Sequence, residues 1–255
     1  MRVRSTAVES TPTAMDTGVL LANMRRRSGV SRGGTESGNI MTLRVLGVDP
    51  SLTSTGLARL TIDNTTPLGD GLSDDAHARL CTVRTTTVHS SPNLKDPVTK
   101  QPLPNQMRLR VQRLVAVRRQ VLKAAQGADL VLVEELFASN NSTQASLMDR
   151  SHLAGSICEY LYAAGIPCIV VHNKRVKKFA TDNGNADKTA VAVGMSKLWG
   201  DRVIPHGDDE FNALALATMG GVKIARHRLP IRVLEHHLHV VSGIDWTDYE
   251  DKITW

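Results

Sequence analysis

Residues 44–60 read RVLGVDPSLTSTGLARL: an apolar run that closes on Asp49, a Pro-Ser turn, and a second apolar run from Thr55 onward. Two buried strands joined this tightly form a hairpin at the edge of a sheet's polar end. Asp-Pro-Ser is a good turn sequence, and Asp49 can accept backbone N–H bonds there. The same placement also aims a carboxylate out of the sheet, toward a metal ion or a phosphate. Asp49 alone satisfies both readings, so the rest of the chain has to separate them.

Working outward, the pattern gives strands over 43–49, 55–62 and 80–88, separated by loops dense in Pro, Gly, Asn and Asp. A helix follows over 107–125, with Met107, Val111, Leu114, Val115, Val121 and Leu122 on one face. Arg108, Arg110, Arg113, Arg119 and Lys123 lie off that face and read as a solvated surface. Arg118 falls inside the stripe, where its stem can pack and its head reach water. DLVLVE, 129–134, is a strongly apolar central strand. Then come a helix over 144–164 ended by Gly165, a strand over 167–171 and a short basic helix over 173–180. Two further helices span 187–198, with Asp187 as N-cap, and 208–219, with Gly220-Gly221 at the end. Three strands followed by helix, strand, helix and strand predict an α/β protein, a mixed sheet with helices on its faces.

The flanks differ. Residues 1–40 are rich in Ser, Thr, Gly and Arg and hold six Arg against three acids, half of the net charge of +6. They read as a disordered basic leader, or as an upstream extension of the frame, whose MRRRSGVSRGG is a DNA-binding arm or a solvated tail. Residues 41–221 form the structured unit, and 222–255 a C-terminal extension of unassigned role. No apolar run approaches the roughly 20 residues that span a bilayer, and residues 1–40 do not read as a signal peptide. Three cysteines without metal spacing read as reduced thiols of a cytoplasmic protein.

Polar groups end the buried elements in a consistent way. Asp49 ends the first strand, Glu134 and Glu135 end the central strand in LVLVEELF, and Asp208 and Asp209 begin the helix in DDEFNALALA. Each has a plain structural role open to it: a turn, a wet strand end, a helix cap. Together they are carboxylates from distant parts of the chain, all at the same kind of place. Carboxylates brought together repel, and a divalent cation is the usual compensation.

GVDPSLTSTGLARL, LVLVEELF and DDEFNALALA, in this order with a basic segment before the last, resemble the RuvC family of Holliday-junction resolvases over roughly residues 43–221. The resemblance implies an RNase H-like fold, a five-stranded mixed sheet flanked by helices. It implies catalytic carboxylates at Asp49, Glu134 and Asp209. The family's second helical Asp falls on Asn212, a departure that lowers the charge of the site by one; Asp208 is a candidate to compensate, and Asn212 could offer a carbonyl oxygen. Phe137 matches an aromatic that contacts bases near the junction. Lys177 and Lys188 match basic residues near the scissile phosphate, and Lys174, Arg175, Lys177 and Lys178 form the densest basic cluster outside the leader. His206 is a reserve ligand.

The expected chemistry is two-metal phosphodiester hydrolysis with two Mg²⁺ ions, Mn²⁺ substituting, Asp49 bridging, and Lys188 neutralising phosphate charge. Symmetric cutting of branched DNA, a Holliday junction or fork, implies a homodimer, with the 144–164 helix as its contact. Competing readings are a non-cleaving branched-DNA-binding module, suggested by Asn212, and an RNase H-like nuclease on another substrate such as RNA–DNA hybrids. An actin-like or sugar-kinase ATPase would need a second such domain and Gly-rich phosphate loops, which the sequence lacks.

Overall fold

The computed structural model describes residues 42–66, 79–90, 95–96, 98–101, 103–104, 106–135 and 144–253. The leader and Phe137 lie outside these residues. Five strands form one sheet: β1 (Thr42–Asp49), β2 (Ser54–Asp63), β3 (Cys81–His89), β4 (Leu130–Glu134) and β5 (Cys168–Val171), in the order β3-β2-β1-β4-β5. β1 pairs antiparallel with β2, and β2 with β3, whereas β4 runs parallel to both β1 and β5. This is the five-stranded mixed sheet that the sequence pattern and the resemblance lead to expect.

Seven α-helices are described: α1 (Gln106–Ala124), α2 (Gln144–Ala163), α3 (Asn173–Thr181), α4 (Lys188–Trp199), α5 (Asp208–Ala225), α6 (Glu235–Ser242) and α7 (Thr247–Ile253). They cover both faces of the sheet, which explains why β1 and β4 are apolar at nearly every position. Side-chain alternation divides the core. Val45, Leu130 and Leu132 face α3 to α6, whereas Leu46, Val48, Val131 and Val133 face α1 and α2. Gly165, at φ +73°, turns the chain after α2, and Asp187 caps α4 by accepting the Ala190 N–H at 2.7 Å.

Gly220-Gly221 do not end α5, contrary to expectation; the helix continues to Ala225. A Cβ on Gly220 would stand 2.6 Å from Val45 Cγ1 and 2.7 Å from Leu132 Cδ1, and one on Gly221 2.5 Å from Leu60 Cδ2. These glycines are there because sheet side chains occupy the space. The same close approach recurs nearer the site. A Cβ on Gly47 would lie 2.0 Å from the Ala213 carbonyl oxygen, and one on Gly56 1.9 Å from that of Asp209. Two missing side chains in β1 and β2 thus let α5 lie backbone-to-backbone on the sheet.

Residues after Val222 also belong to this packing. Val240, Val241, Ile244 and Trp246 join the core on the α5 face, and Asp248 Oδ2 accepts the Cys168 N–H at 2.7 Å. Among the described residues no helix is long and apolar enough to cross a membrane.

Candidate active site

Strand parity places the first two carboxylates. Counting from Val45, Asp49 points to the α5 face of β1; counting from Leu130 and Leu132, Glu134 points to the same face of β4. The two strands are adjacent and parallel, with Val48 opposite Val133, so Asp49 and Glu134 stand one step further on, side by side at the strand ends. Glu135 turns outward to solvent and donates its N–H to Val171 O at 2.8 Å. Opposite Asp49 in the hairpin is Gly56, and on Gly56 rests the backbone of Asp209. The opening stretch therefore carries both a carboxylate and the gap that brings α5 against it.

Asp49, Glu134, Asp209 and Asn212 line one cavity of about 570 Å³ together with Asn173 and Lys188. Two amides serve these two acids. Asn212 Nδ2 donates to Asp49 Oδ2 at 3.0 Å, and Asn173 Nδ2 donates to Glu134 Oε1. A carboxylate only accepts, so Asn212 presents its NH₂ to Asp49. Burial pushes the Asp49 carboxyl well above the usual carboxylate range; the charges of Glu134 and Asp209 push the same way, against the Asn212 bond and Arg150. Burial likewise raises Glu134, opposed by the Asn173 bond and by the charges of Arg150 and Lys177.

Glu134 Oε2 is buried and has no hydrogen-bond partner. Among the described residues no three His, Cys, Asp or Glu side chains stand close enough together to hold a metal ion as they are. Even so, the donor set fits a hard divalent cation. Two neighbouring carboxylates repel each other, one buried oxygen is unpartnered, and a third carboxylate lines the same cavity.

Other expected residues fall in different places. Asp208 does not line the cavity; its Oδ2 pairs with Lys188 Nζ at 3.3 Å. Lys177, half-buried on α3, is near enough to act on Glu134, but none of Lys174, Arg175, Lys177 and Lys178 lines the cavity. His206 is exposed, with Nδ1 3.7 Å from Glu210 Oε2. Arg118 stacks its guanidinium 4.2 Å from the Tyr160 ring centroid, away from the cavity.

Several residues escape a reading of the sequence. Arg110 and Arg113 are not a solvated face: both line the cavity, and so does Arg150 of α2. Arg113 donates from Nε to Ser90 Oγ at 2.8 Å and from Nη2 to Leu52 O at 2.7 Å, gripping the turn after Asp49. Arg110 and Arg113 are three apart and so share a helix side, which is the signal that was available. Asn173 follows the end of β5, as Asp49 and Glu134 end β1 and β4, so all three sit along one edge of the parallel strands. Glu210 is the most buried acid of DDE; it accepts from Thr85 Oγ1 at 2.7 Å, Thr87 Oγ1 at 2.8 Å and His206 N at 3.0 Å, tying the start of α5 to β3.

The family model described as crossover junction endodeoxyribonuclease RuvC matches residues 83–219, more than half of the chain. The chain belongs to the RuvC family. The matched span contains Glu134, Lys188, Asp209 and Asn212 and starts after Asp49. Curated RuvC relatives include one from Rhodopirellula baltica, 24% identical over 176 residues, covering 69% of this chain and 84% of the relative. Another, from Nocardia farcinica, is 28% identical over 175 residues, covering 69% and 79%. The solved structure of Thermus thermophilus RuvC aligns with 71% of this chain and 95% of its own, at 22% identity and a TM-score of 0.49.

Proposed function

We propose that this RuvC-family chain is a structure-selective endodeoxyribonuclease that hydrolyses phosphodiesters in branched DNA such as Holliday junctions. The supporting observation is the pair Asp49 and Glu134: side by side at the ends of adjacent parallel strands, Glu134 buried with an unpartnered oxygen, in a cavity that four cations also line. Its curated relatives bear the name crossover junction endodeoxyribonuclease.

Mg²⁺ is the ion we assign, two per site, with Mn²⁺ as a substitute; Asp49, Glu134 and Asp209 would hold it. Bound there, it would activate water for attack on phosphorus and stabilise the leaving 3′ oxygen. The chain's own side chains do the rest. Asp49 and Glu134, desolvated and pressed together, give the site its affinity for positive charge. Asn212 and Asn173 fix the carboxylate orientations through their amides. Lys188, held by Asp208, presents its ammonium at the cavity to the phosphate. Lys174, Arg175, Lys177 and Lys178 on α3 take backbone phosphates beside it, and Phe137 contacts bases near the branch. Cutting two strands symmetrically asks for two copies of the chain; we assign the contact to α2, where Met148 is 56% exposed.

A second reading, a branched-DNA-binding module that does not cut, draws on the Asn212 amide where the family pattern has an acid. One experiment separates them. The protein and Asp49→Asn are incubated with Mg²⁺ or Mn²⁺ and labelled four-way junction, duplex, single strand or RNA–DNA hybrid. Paired nicks on the junction, lost by at least about 100-fold in the variant, are expected, since rate losses of that order follow removal of a group that stabilises the transition state. Junction binding without cleavage under either metal would overturn the nuclease reading in favour of the module, and preferential cutting of the hybrid would reassign the substrate.

A further inference from the structure

The cavity that holds the carboxylates has a second wall, and the proposed function has no use for it yet. Arg110 and Arg113 of α1 and Arg150 of α2 line it opposite the strand ends. Counting Lys188, the cavity has four cations against the four acids Asp49, Glu134, Asp149 and Asp209. A pure cation site would gain nothing from such a balance, because every guanidinium there weakens the attraction for a metal. A site for a metal and an anion together needs both signs, one on each side.

The three arginines differ in what already engages them. Arg113 is committed to the protein: its bonds to Ser90 and Leu52 fasten α1 to the turn that follows Asp49. Arg110 has one distant partner, Asp149, with Nε 4.0 Å from Oδ2, and that Nε is buried without a hydrogen bond. Arg150 makes no hydrogen bond and no ion pair among the described residues, yet its charge is felt by both Asp49 and Glu134. Two planar guanidinium groups with unused donors, facing a cavity that is half acidic, suit an anion that accepts several hydrogen bonds, as a phosphate does.

We propose that Arg110 and Arg150 bind two backbone phosphates of the DNA strand that enters the carboxylate cavity, with Arg113 as the positioning residue that holds their wall against the Asp49 turn. The proposal rests on the nuclease reading for the identity of its ligand. It adds that the strand is gripped from the α1–α2 side before any metal is present. Arg150 lies nearest the carboxylates in electrostatic terms and takes the phosphate beside them; Arg110 takes its neighbour.

Neutralised phosphates release counterions, so each contact is read in the salt dependence of binding. Binding of a labelled four-way junction to the full chain is measured in EDTA from about 50 to 200 mM salt, a range over which such contacts register strongly. Arg110→Gln and Arg150→Gln are each expected to reduce the slope of log K against log salt by about 0.9, the value for one phosphate. Arg150→Lys and Arg110→Lys are expected to keep the wild-type slope while binding more weakly, because a point charge still meets a phosphate without the bidentate fork. The lysine variants also guard against a mere packing defect, since they retain the aliphatic stem. Wild-type slopes in both glutamine variants would overturn the proposal. Metal-free binding keeps the two readings apart. If the wild type cuts junctions and the slopes do not move, the arginine wall falls and the nuclease stands. If it binds but never cuts, the slopes still judge the wall.

Discussion

The Nδ2 of Asn212 stands 3.0 Å from Oδ2 of Asp49, and this bond governs how much negative charge two adjoining strand ends must carry. An acid at this position would give up the bond and set a like charge beside a carboxyl that burial and Glu134 already hold high. Asn212→Asp is therefore expected to cost about 1–3 kcal/mol in EDTA, the range for stranding a buried acceptor. Millimolar Mg²⁺ should then raise the melting temperature of the variant more than that of the wild type, because a ligand stabilises the folded state it binds. Thermal melts with and without the ion check this. A variant as stable as the wild type in EDTA would mean that the amide does nothing for Asp49. Asp49 itself could be found from sequence, since a carboxylate closing an apolar run is visible in one dimension. The direction of the Asn212 amide could not, because it depends on which atom of a distant strand lies opposite.

At the scale of elements, α5 meets β1 and β2 through glycines, and the position of Asp209 follows from that contact. Gly56 faces Asp49 across the hairpin and leaves room for the Asp209 carbonyl. Gly56→Ala puts a methyl where backbone already is, at a cost of about 3 kcal/mol, the upper end for overpacking. Displacing Asp209 from the cavity should reduce junction cleavage beyond what the loss of folded protein explains. Gly207→Ala is the comparison: its backbone is extended and nothing lies within 4 Å of the added carbon, so it should cost no more than the N-cap preference for glycine, about 1 kcal/mol, and cleavage per folded protein should hold. Equal effects of the two substitutions would sink the argument. Strand and helix positions were legible because period-2 and period-3.6 patterns are local. The continuation of α5 through Gly220-Gly221 was not, because glycine there answers to Val45, Leu132 and Leu60 rather than to its own helix. For the same reason Arg110 and Arg113 were misread: off the apolar face of α1 means off the core, and a cavity rim is off the core too.

At the scale of the whole molecule, the C-terminal helices complete the core that supports α3 and α5, and they do so around a buried histidine. His237 is 2% exposed, with its ring 4.6 Å from that of Phe179 on α3 and 4.0 Å from that of His236. Its Nδ1 accepts the Leu234 N–H at 3.0 Å, so the ring is held neutral at that atom. Burial depresses its pKa to about 4; His236 adds to the effect and Asp182 opposes it. The unfolded chain protonates this ring near its ordinary value of 6.5, the folded chain only near 4. Between those values the unfolded state binds more protons, so the stability that His237 contributes is present above about pH 6.5 and is lost as the pH falls toward 4. Other groups have their own acid dependence; Glu210, raised by burial but lowered further by its bonds to Thr85, His206 N and Thr87, loses its contribution only below its ordinary value of 4.5. The histidine is isolated by His237→Gln, which keeps an acceptor for the Leu234 N–H and has no proton to gain. Chemical denaturation at pH 6.5 and 4.5 should show a smaller loss of stability in the variant than in the wild type. If the two fall in parallel, the histidine is not what couples the C-terminal helices to pH. A smaller loss would mean that the extension is bound to α3 most firmly near neutral pH.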